Sequence, residues 1–280
     1  MQQQTLAGSI QCDGIGLHSG KPVSLRLMPA PPDSGVRFVR TDLPGQPQVA
    51  ARAELVTSVL RATTLTDGEV TVYTIEHLLS ALHMLGVDNC LVEMNAPEPP
   101  VMDGSAKDFA DLILQAGRVA QAAERKEVRL QEAVTVREPD RFIVILPYDG
   151  LRVSYTSVNP HPLLGVQYID LELDEESFLR EIAPARTIGF LHEVEALKAK
   201  GLGLGGTLEN VVVYSEDAVL TPLRYPDELV RHKVLDILGD LFLAGPIRGH
   251  IIAVKSSHAL NTALAKQIVD KIRSEKECCM

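Results

Sequence analysis

The stretch Arg231–Leu241, RHKVLDILGDL, carries two patterns at once. Val234, Leu235, Ile237, Leu238 and Leu241 recur at helical spacing and give it a stripe that faces a core. His232, Asp236 and Asp240 recur every four residues, and on an α-helix such residues stand one turn above another. An imidazole and a carboxylate that point the same way make two ligands of a metal site that needs a third. A lone His and Asp at this spacing equally form a helix-surface hydrogen bond, so the rest of the chain has to decide.

Working outward, the helix sits in an order of elements that occurs twice. Strand-like runs around SIQC, PVSLRLM and VRFVR precede a helix, IEHLLSALHML, for which Thr74 is the expected N-cap and Gly86 the expected stop. The strand NCLVEMN and the helix AKDFADLILQAG follow. In the second half, AVTVRE, RFIVILPY and LRVSYTSV precede a helix opening at Asp227 and stopping by Gly245, then the strand HIIAVKS and a helix from about His258 to Ile272. The repetition predicts an α+β fold of two similar domains from an internal duplication, each a small sheet packed on helices in two layers. The expected division is residues 1–125, with the Glu76/His77 helix, and 126–280, with the His232/Asp236 helix. The boundary falls in the charged, apolar-poor AERKE near Glu124–Glu127.

The second half holds extra material, PARTIGFLHEVEALKAKGLGLGGTLENVVVY, read as a short helix, a glycine-rich turn and a strand. Gly201 to Gly206 match G-x-G-x-x-G by letter. A dinucleotide fingerprint must follow a strand and open a helix, and this one does the reverse, which argues against a dinucleotide site.

If the two halves pack with their equivalent helices facing the seam, His77, His232 and Asp236 meet around one ion. Two nitrogens and one oxygen leave a fourth tetrahedral position for water, the pattern of catalytic rather than structural zinc, and hydrolysis is its natural chemistry. Iron(II) suits the same donors. Glu76, next to a ligand but turned about 100° from it, is placed to act as general base. His258 in KSSHAL is a candidate general acid or oxyanion partner, with Asp240 holding it charged. Thr187 offers a hydroxyl to the same oxyanion, and Lys233 and Lys255 flank the proposed centre, where they could meet a phosphate. Each has a plainer reading as a surface, cap or core residue, and spacing alone does not choose.

The bulk numbers exclude several classes. The 280 residues are 45% hydrophobic and 23% charged, without Trp and with 4% aromatics, which disfavours base stacking on nucleic acid. A formal net charge of −10 opposes general attraction to nucleic acid or an anionic membrane, so an anionic substrate must be met locally. Cys12, Cys90, Cys278 and Cys279 form no CxxC pair, which fits a reducing cytoplasm and no cysteine zinc site. No basic-then-apolar leader and no run of about 18 apolar residues is present, so an unexported chain without a transmembrane segment is expected. With no long coiled coil or swapped arm evident, a monomer is the default.

With these residues assembled, the sequence resembles the zinc-dependent UDP-3-O-acyl-N-acetylglucosamine deacetylases of Gram-negative lipid A biosynthesis. The likeness runs through GIGLHSGKPVSLRLMPAP, TIEHLLSALHMLGVDN, EPPVMDGSA, ARTIGFLHEVEALKAKGLGLGG, LVRHKVLDILGDL and KSSHALN, in order and over essentially the whole chain. The resemblance implies hydrolysis of the N-acetyl amide of a UDP-linked 3-O-(3-hydroxyacyl)glucosamine, releasing acetate, as the committed step of that pathway. It implies zinc on His77, His232 and Asp236, with Glu76 as base and His258 as acid or electrostatic partner. Asp240 would tune His258, Thr187 would contact the oxyanion and Lys233 would bind substrate. It also implies two α+β halves with an insert in each, the second insert, about 187–213, forming an apolar passage for the acyl chain with Ile188 and Phe190 in its wall. Ile188, where the family pattern has Phe, and Ser257, where it has Gly, are departures that bear on acyl length and nucleotide contacts.

Overall fold

In the computed structural model, which describes residues 1–278, two sheets share one pairing scheme. The first runs Ile10–Ile15, Pro22–Pro29, Cys90–Met94, Val36–Arg40, Gln48–Ala50, antiparallel throughout except where Cys90–Met94 meets Val36–Arg40. The second runs Val134–Glu138, Arg141–Leu146, Ile247–Val254, Leu151–Val158, Val166–Glu172, and in this run the parallel contact again joins the corresponding strands, Ile247–Val254 and Leu151–Val158. The short strand Val128–Arg129 adds beside Ile247–Val254.

Each half places one helix before and one after its central strand: α1 (Glu76–Met84) and α2 (Lys107–Ala116) around Cys90–Met94, then α4 (Glu228–Phe242) and α5 (His258–Cys278) around Ile247–Val254. Between them in the chain lies α3 (Val194–Ala199) of the second-half insert. The repeated order read from the sequence is therefore present in the pairing, and the fold is α+β. One apolar cluster runs through both halves, joining Leu27, Phe38 and Leu82 to Tyr155, Leu235 and Ile251.

The helix α1 is buried along almost its whole length, including its polar residues. Leu78, Leu79 and Leu82 are fully enclosed, and burying each such side chain contributes about 1.5–3 kcal/mol. Its end is set by Gly86 at φ +69, where the Gly86 N–H donates to His83 and the Val87 N–H to Leu82, the paired bonds of a left-handed helix stop. Its start differs from the expectation. Ile75, not Thr74, is the capping residue, and no side chain caps the helix. Thr74 is held at φ +55 and donates its hydroxyl to Glu98 instead. At that positive φ the residue lacks the extended backbone from which a side chain caps a helix.

Three further features escaped the sequence pattern. Val56–Ser58, Thr64–Asp67 and Val70–Tyr73 form a three-stranded ribbon whose strands are too short to show alternation. In the second-half insert, Ile188–Phe190 lies parallel to Val212–Tyr214. Arg118–Glu124, which overlaps the charged stretch read as a connector, pairs with Gln2–Leu6 as a strand.

Candidate metal centre and active site

The helices α1 and α4 cross against one another, and glycine sets how closely. A Cβ at Gly239 would lie 2.0 Å from the Glu76 carbonyl oxygen, so only glycine permits this approach. The contact brings the first turn of α1, with Glu76 and His77, onto the face of α4 that carries His232, Asp236 and Asp240.

The candidate ligands converge. One donor atom from each of His77, His232 and Asp236 lies within 4.8 Å of the other two, and all three side chains are buried. Asp236 Oδ1 stands 3.4 Å from His232 Nε2 and 3.9 Å from His77 Nε2, and the two imidazoles meet edge-on at 5.0 Å. Donors around a tetrahedral zinc at 2.0–2.1 Å are about 3.3 Å apart, so the cluster needs only a small contraction to share an ion.

Two observations test the fit to a cation. Asp236 Oδ1 is buried without a hydrogen-bond partner, while its other oxygen accepts from Lys233 Nζ at 2.7 Å. An orphaned carboxylate oxygen between two imidazoles is costly unless a cation meets it. His232 Nδ1 donates to the Ala185 carbonyl at 3.1 Å, which leaves the Nε2 lone pair directed at the cluster. Burial, reinforced by the neighbouring His232, pushes His77 down to about 3, and burial lowers His232 as well, so both rings are neutral donors. Burial alone would raise Asp236, but Lys233 and the surrounding imidazoles hold it well below the usual carboxylate range. The donor set is one that zinc or iron(II) accepts.

Beside the cluster lies a proton-handling pair. Glu76 is pushed up to about 7 by burial and by the carboxylates of Asp240 and Asp236, against the pull of His258. His258 goes the other way. Burial disfavours its charge, yet Asp240, Asp236 and Glu76 together raise it to about 10. Its Nδ1 donates to Asp240 Oδ2 at 2.8 Å and its Nε2 lies 3.8 Å from Glu76 Oε1. At neutral pH the pair is thus a carboxylate able to take a proton next to an imidazolium able to give one.

Asp240 is fully buried and accepts three bonds: from His258, from Asn261 Nδ2 at 2.9 Å and from Thr63 Oγ1 at 2.5 Å. Thr63 also donates its backbone N–H to Glu76 Oε2 at 3.2 Å, so one residue steadies both carboxylates. Thr63, Asn261 and Gly239 were not singled out by sequence reasoning. Asn261 stands one turn after His258 and could have been found by its spacing, whereas Thr63 lies on a loop and offers no local signal.

The remaining candidates divide. Thr187, Ile188 and Phe190 line an apolar cavity of about 400 Å³ together with Leu17, Val213 and Leu197 of α3. Thr187 follows the Ala185–Arg186 segment that orients His232, and its N–H donates to the Gly104 carbonyl at 2.8 Å. Lys233 reaches Asp236. Lys255, at φ +52, sends its ammonium to Asp140 at the surface and joins none of the contacts above.

Two facing helices thus set a His/His/Asp cluster able to hold a cation, a buried carboxylate and an imidazolium side by side, an arrangement suited to hydrolytic chemistry. The sequence comparisons narrow that class. The chain belongs to the family described as LpxC, UDP-3-O-acyl N-acetylglycosamine deacetylase, whose model matches residues 3–270. It is 46% identical over 277 residues to the UDP-3-O-acyl-N-acetylglucosamine deacetylase of Neisseria meningitidis serogroup C (strain 053442), covering 96% of this chain and 90% of that one. The deacetylases of the same name from Anaeromyxobacter sp. (strain Fw109-5) and Myxococcus xanthus (strain DK1622) are each 45% identical, over 270 and 279 residues. Those matches cover 95% and 99% of this chain and 88% of each relative.

Proposed function

We propose that the protein removes the N-acetyl group of a UDP-3-O-acyl-N-acetylglucosamine, releasing acetate and a free amine in lipid A biosynthesis, with one divalent cation, zinc or iron(II), as cofactor. The observation that carries the metal is the convergence of His77, His232 and Asp236 with an unpartnered buried oxygen on Asp236.

His77, His232 and Asp236 would hold the ion. When bound, it would polarise the amide carbonyl and acidify a water molecule. Glu76 takes the proton from the attacking water, a role that burial supports by raising its proton affinity above that of an ordinary carboxylate. His258, charged because Asp240 supports it, donates a proton to the departing nitrogen and steadies the oxyanion. The Thr187 hydroxyl meets the same oxyanion. Lys233, beside the cluster, and Lys255, once released from Asp140, meet the anionic UDP moiety. Ile188 and Phe190 in the cavity wall receive the acyl chain, where each buried methylene contributes about 0.8 kcal/mol.

The reading places the work in a reducing cytoplasm, supported by Cys12 and Cys90 standing as free thiols. Among the described residues no helix is long and apolar enough to cross a membrane. It also treats the chain as two domains, 1–125 and 126–280, that jointly complete the site.

The test is acetate release from the UDP-linked substrate and from free N-acetylglucosamine, before and after chelation, paired with metal analysis. Turnover of the UDP-linked substrate that chelation abolishes and zinc or iron(II) restores supports the reading. Turnover unaffected by complete metal removal would discard the cation, and no preference for the UDP-linked substrate would discard the assignment.

A further inference from the structure

Glu98, in the loop EPPVMDGSA, has no part in the chemistry above, yet it is completely buried. Its carboxylate is satisfied by two backbone N–H groups and a hydroxyl. His18 N–H lies 3.1 and 3.2 Å from its two oxygens, Ser19 N–H lies 2.7 Å from Oε1, and Thr74 Oγ1 lies 3.0 Å from Oε2. Burying an acceptor that needs this many donors is costly, so what it holds in place is informative.

It holds two things. One is the left-handed Thr74, two residues before Glu76 and three before His77. The other is the turn Gly16–Gly20, where a Cβ at Gly16 would fall 2.3 Å from Glu98 Oε1. That turn in turn grips the insert of the other half. The Leu204 and Gly205 N–H groups donate to the His18 and Leu17 carbonyls at 3.2 and 3.0 Å, and the Gly203 N–H donates to His18 Nδ1 at 3.2 Å. A Cβ at Gly205 would lie 2.2 Å from the Gly16 oxygen, so the two turns are in direct backbone contact. Leu17, His18, Gly203 and Gly206 all belong to the cavity wall.

We propose that Glu98 is a positioning residue for acyl-chain selection: its carboxylate clasps the Gly16–Gly20 turn, which grips the Gly203–Gly206 turn, to Thr74 ahead of α1, and so fixes the wall of the apolar cavity relative to the start of α1. The proposal rests on the reading of that cavity as the acyl site. It also gives a reason for Gly16, Gly20 and Gly205, where a Cβ would meet Glu98, Leu204 and the Gly16 oxygen respectively.

The experiment compares Glu98→Gln with the parent on two UDP-linked substrates, one with a long 3-O-acyl chain and one with 3-O-acetyl. An amide keeps the volume but offers one oxygen and turns an NH2 group toward the N–H donors of the turn. The expected result is that the long-to-short ratio of kcat/KM falls about tenfold, with bound metal retained and turnover of the 3-O-acetyl substrate much less affected. Gly205→Ala, which pushes on the Gly16 carbonyl from the insert side without touching Glu98, should move the ratio in the same sense and keeps the test alive if Glu98→Gln folds poorly. Rates on both substrates that fall together, with the ratio intact in both variants, would make Glu98 a purely structural residue and overturn the proposal. A parent enzyme that deacetylates neither substrate would remove the underlying reading as well.

Discussion

Gly239→Ala isolates what the helix crossing contributes. The new methyl carbon would begin 2.0 Å from the Glu76 carbonyl oxygen, 2.8 Å from its carbonyl carbon and 2.9 Å from its Cα. All three are backbone atoms, so no rotamer change relieves the clash, and α1 must recede from α4 by roughly 1 Å to reach a tolerable contact. Overpacking of this kind costs about 1–3 kcal/mol of stability. The functional cost should be larger in proportion, because the receding segment carries Glu76 and His77 while Asp236, His232 and Asp240 stay on α4. A displacement of about 1 Å in a catalytic arrangement can cost on the order of a hundredfold. We therefore expect kcat/KM for deacetylation to fall about a hundredfold and metal affinity to weaken, while Tm drops by only a few degrees. The assays are acetate release at saturating metal, metal retention against a competing chelator, and calorimetry. A variant with parental kcat/KM and parental metal affinity, whatever its Tm, would refute the claim that this glycine sets the geometry of the site.

Glu76→Gln should retain about one metal ion per chain yet lose about 10²–10⁴-fold in turnover, read by elemental analysis and acetate release, since it removes only the proposed base. His77→Ala and Asp236→Ala should lose metal on dialysis, and Asp236→Ala also frees Lys233 of its partner. The proposed acid role of His258 requires its proton, so activity should decline at a pH well above the ordinary histidine value of about 6.5, and below about 10 when a cation sits beside it; in Asp240→Asn that falling limb should move down, seen in the pH profile of kcat/KM. The rising limb reports Glu76 from about 7, displaced to lower pH when a cation sits beside it. Val213→Phe, which fills the cavity wall, should penalise long acyl chains by about fourfold per excluded methylene and leave 3-O-acetyl turnover intact, measured as a chain-length series.

What the sequence revealed and what it hid follow from the range of the interactions. The HxxxD spacing within α4 and the adjacency of Glu76 and His77 are local, so a helical period suffices to see them. Their meeting depends on a contact between helices some 150 residues apart in the chain, and the repeated element order was the hint of it that the residues themselves offered, beside the family resemblance. The Gly239 contact is the opposite case: a glycine inside a helix reads as a local weakness, and its purpose appears only when the other helix is in place. Thr74 misled for the same reason. Its type and position before a helix are those of a cap, but its hydroxyl is turned to Glu98, 24 residues away, and its backbone lies at φ +55 rather than in the extended range of a cap. Thr63 reaches Asp240 across 177 residues from an irregular loop, where neither period nor motif operates.

Charge balance explains why these buried groups belong together. At neutral pH three carboxylates, Glu76, Asp236 and Asp240, face two cations, Lys233 and His258, all within one cluster of short contacts. The metal-free cluster is therefore one positive charge short of neutrality. Glu76, the carboxylate with the least support, shows the deficit: burial first, and the neighbouring carboxylates after it, bring it to about 7, close to sharing a proton. A dication on His77, His232 and Asp236 would reverse the balance to one net positive charge, lower the proton affinity of Glu76 and make the pocket attractive to an oxyanion. In a chain whose formal charge is −10, that local reversal is what would admit an anionic sugar nucleotide, and it would do so only with the ion in place. Substrate affinity should therefore fall on metal removal by far more than for a neutral acyl-sugar analogue. Equal losses for the charged and the neutral ligand, measured by calorimetric titration of metal-free and metal-loaded protein, would show that the ion serves chemistry alone.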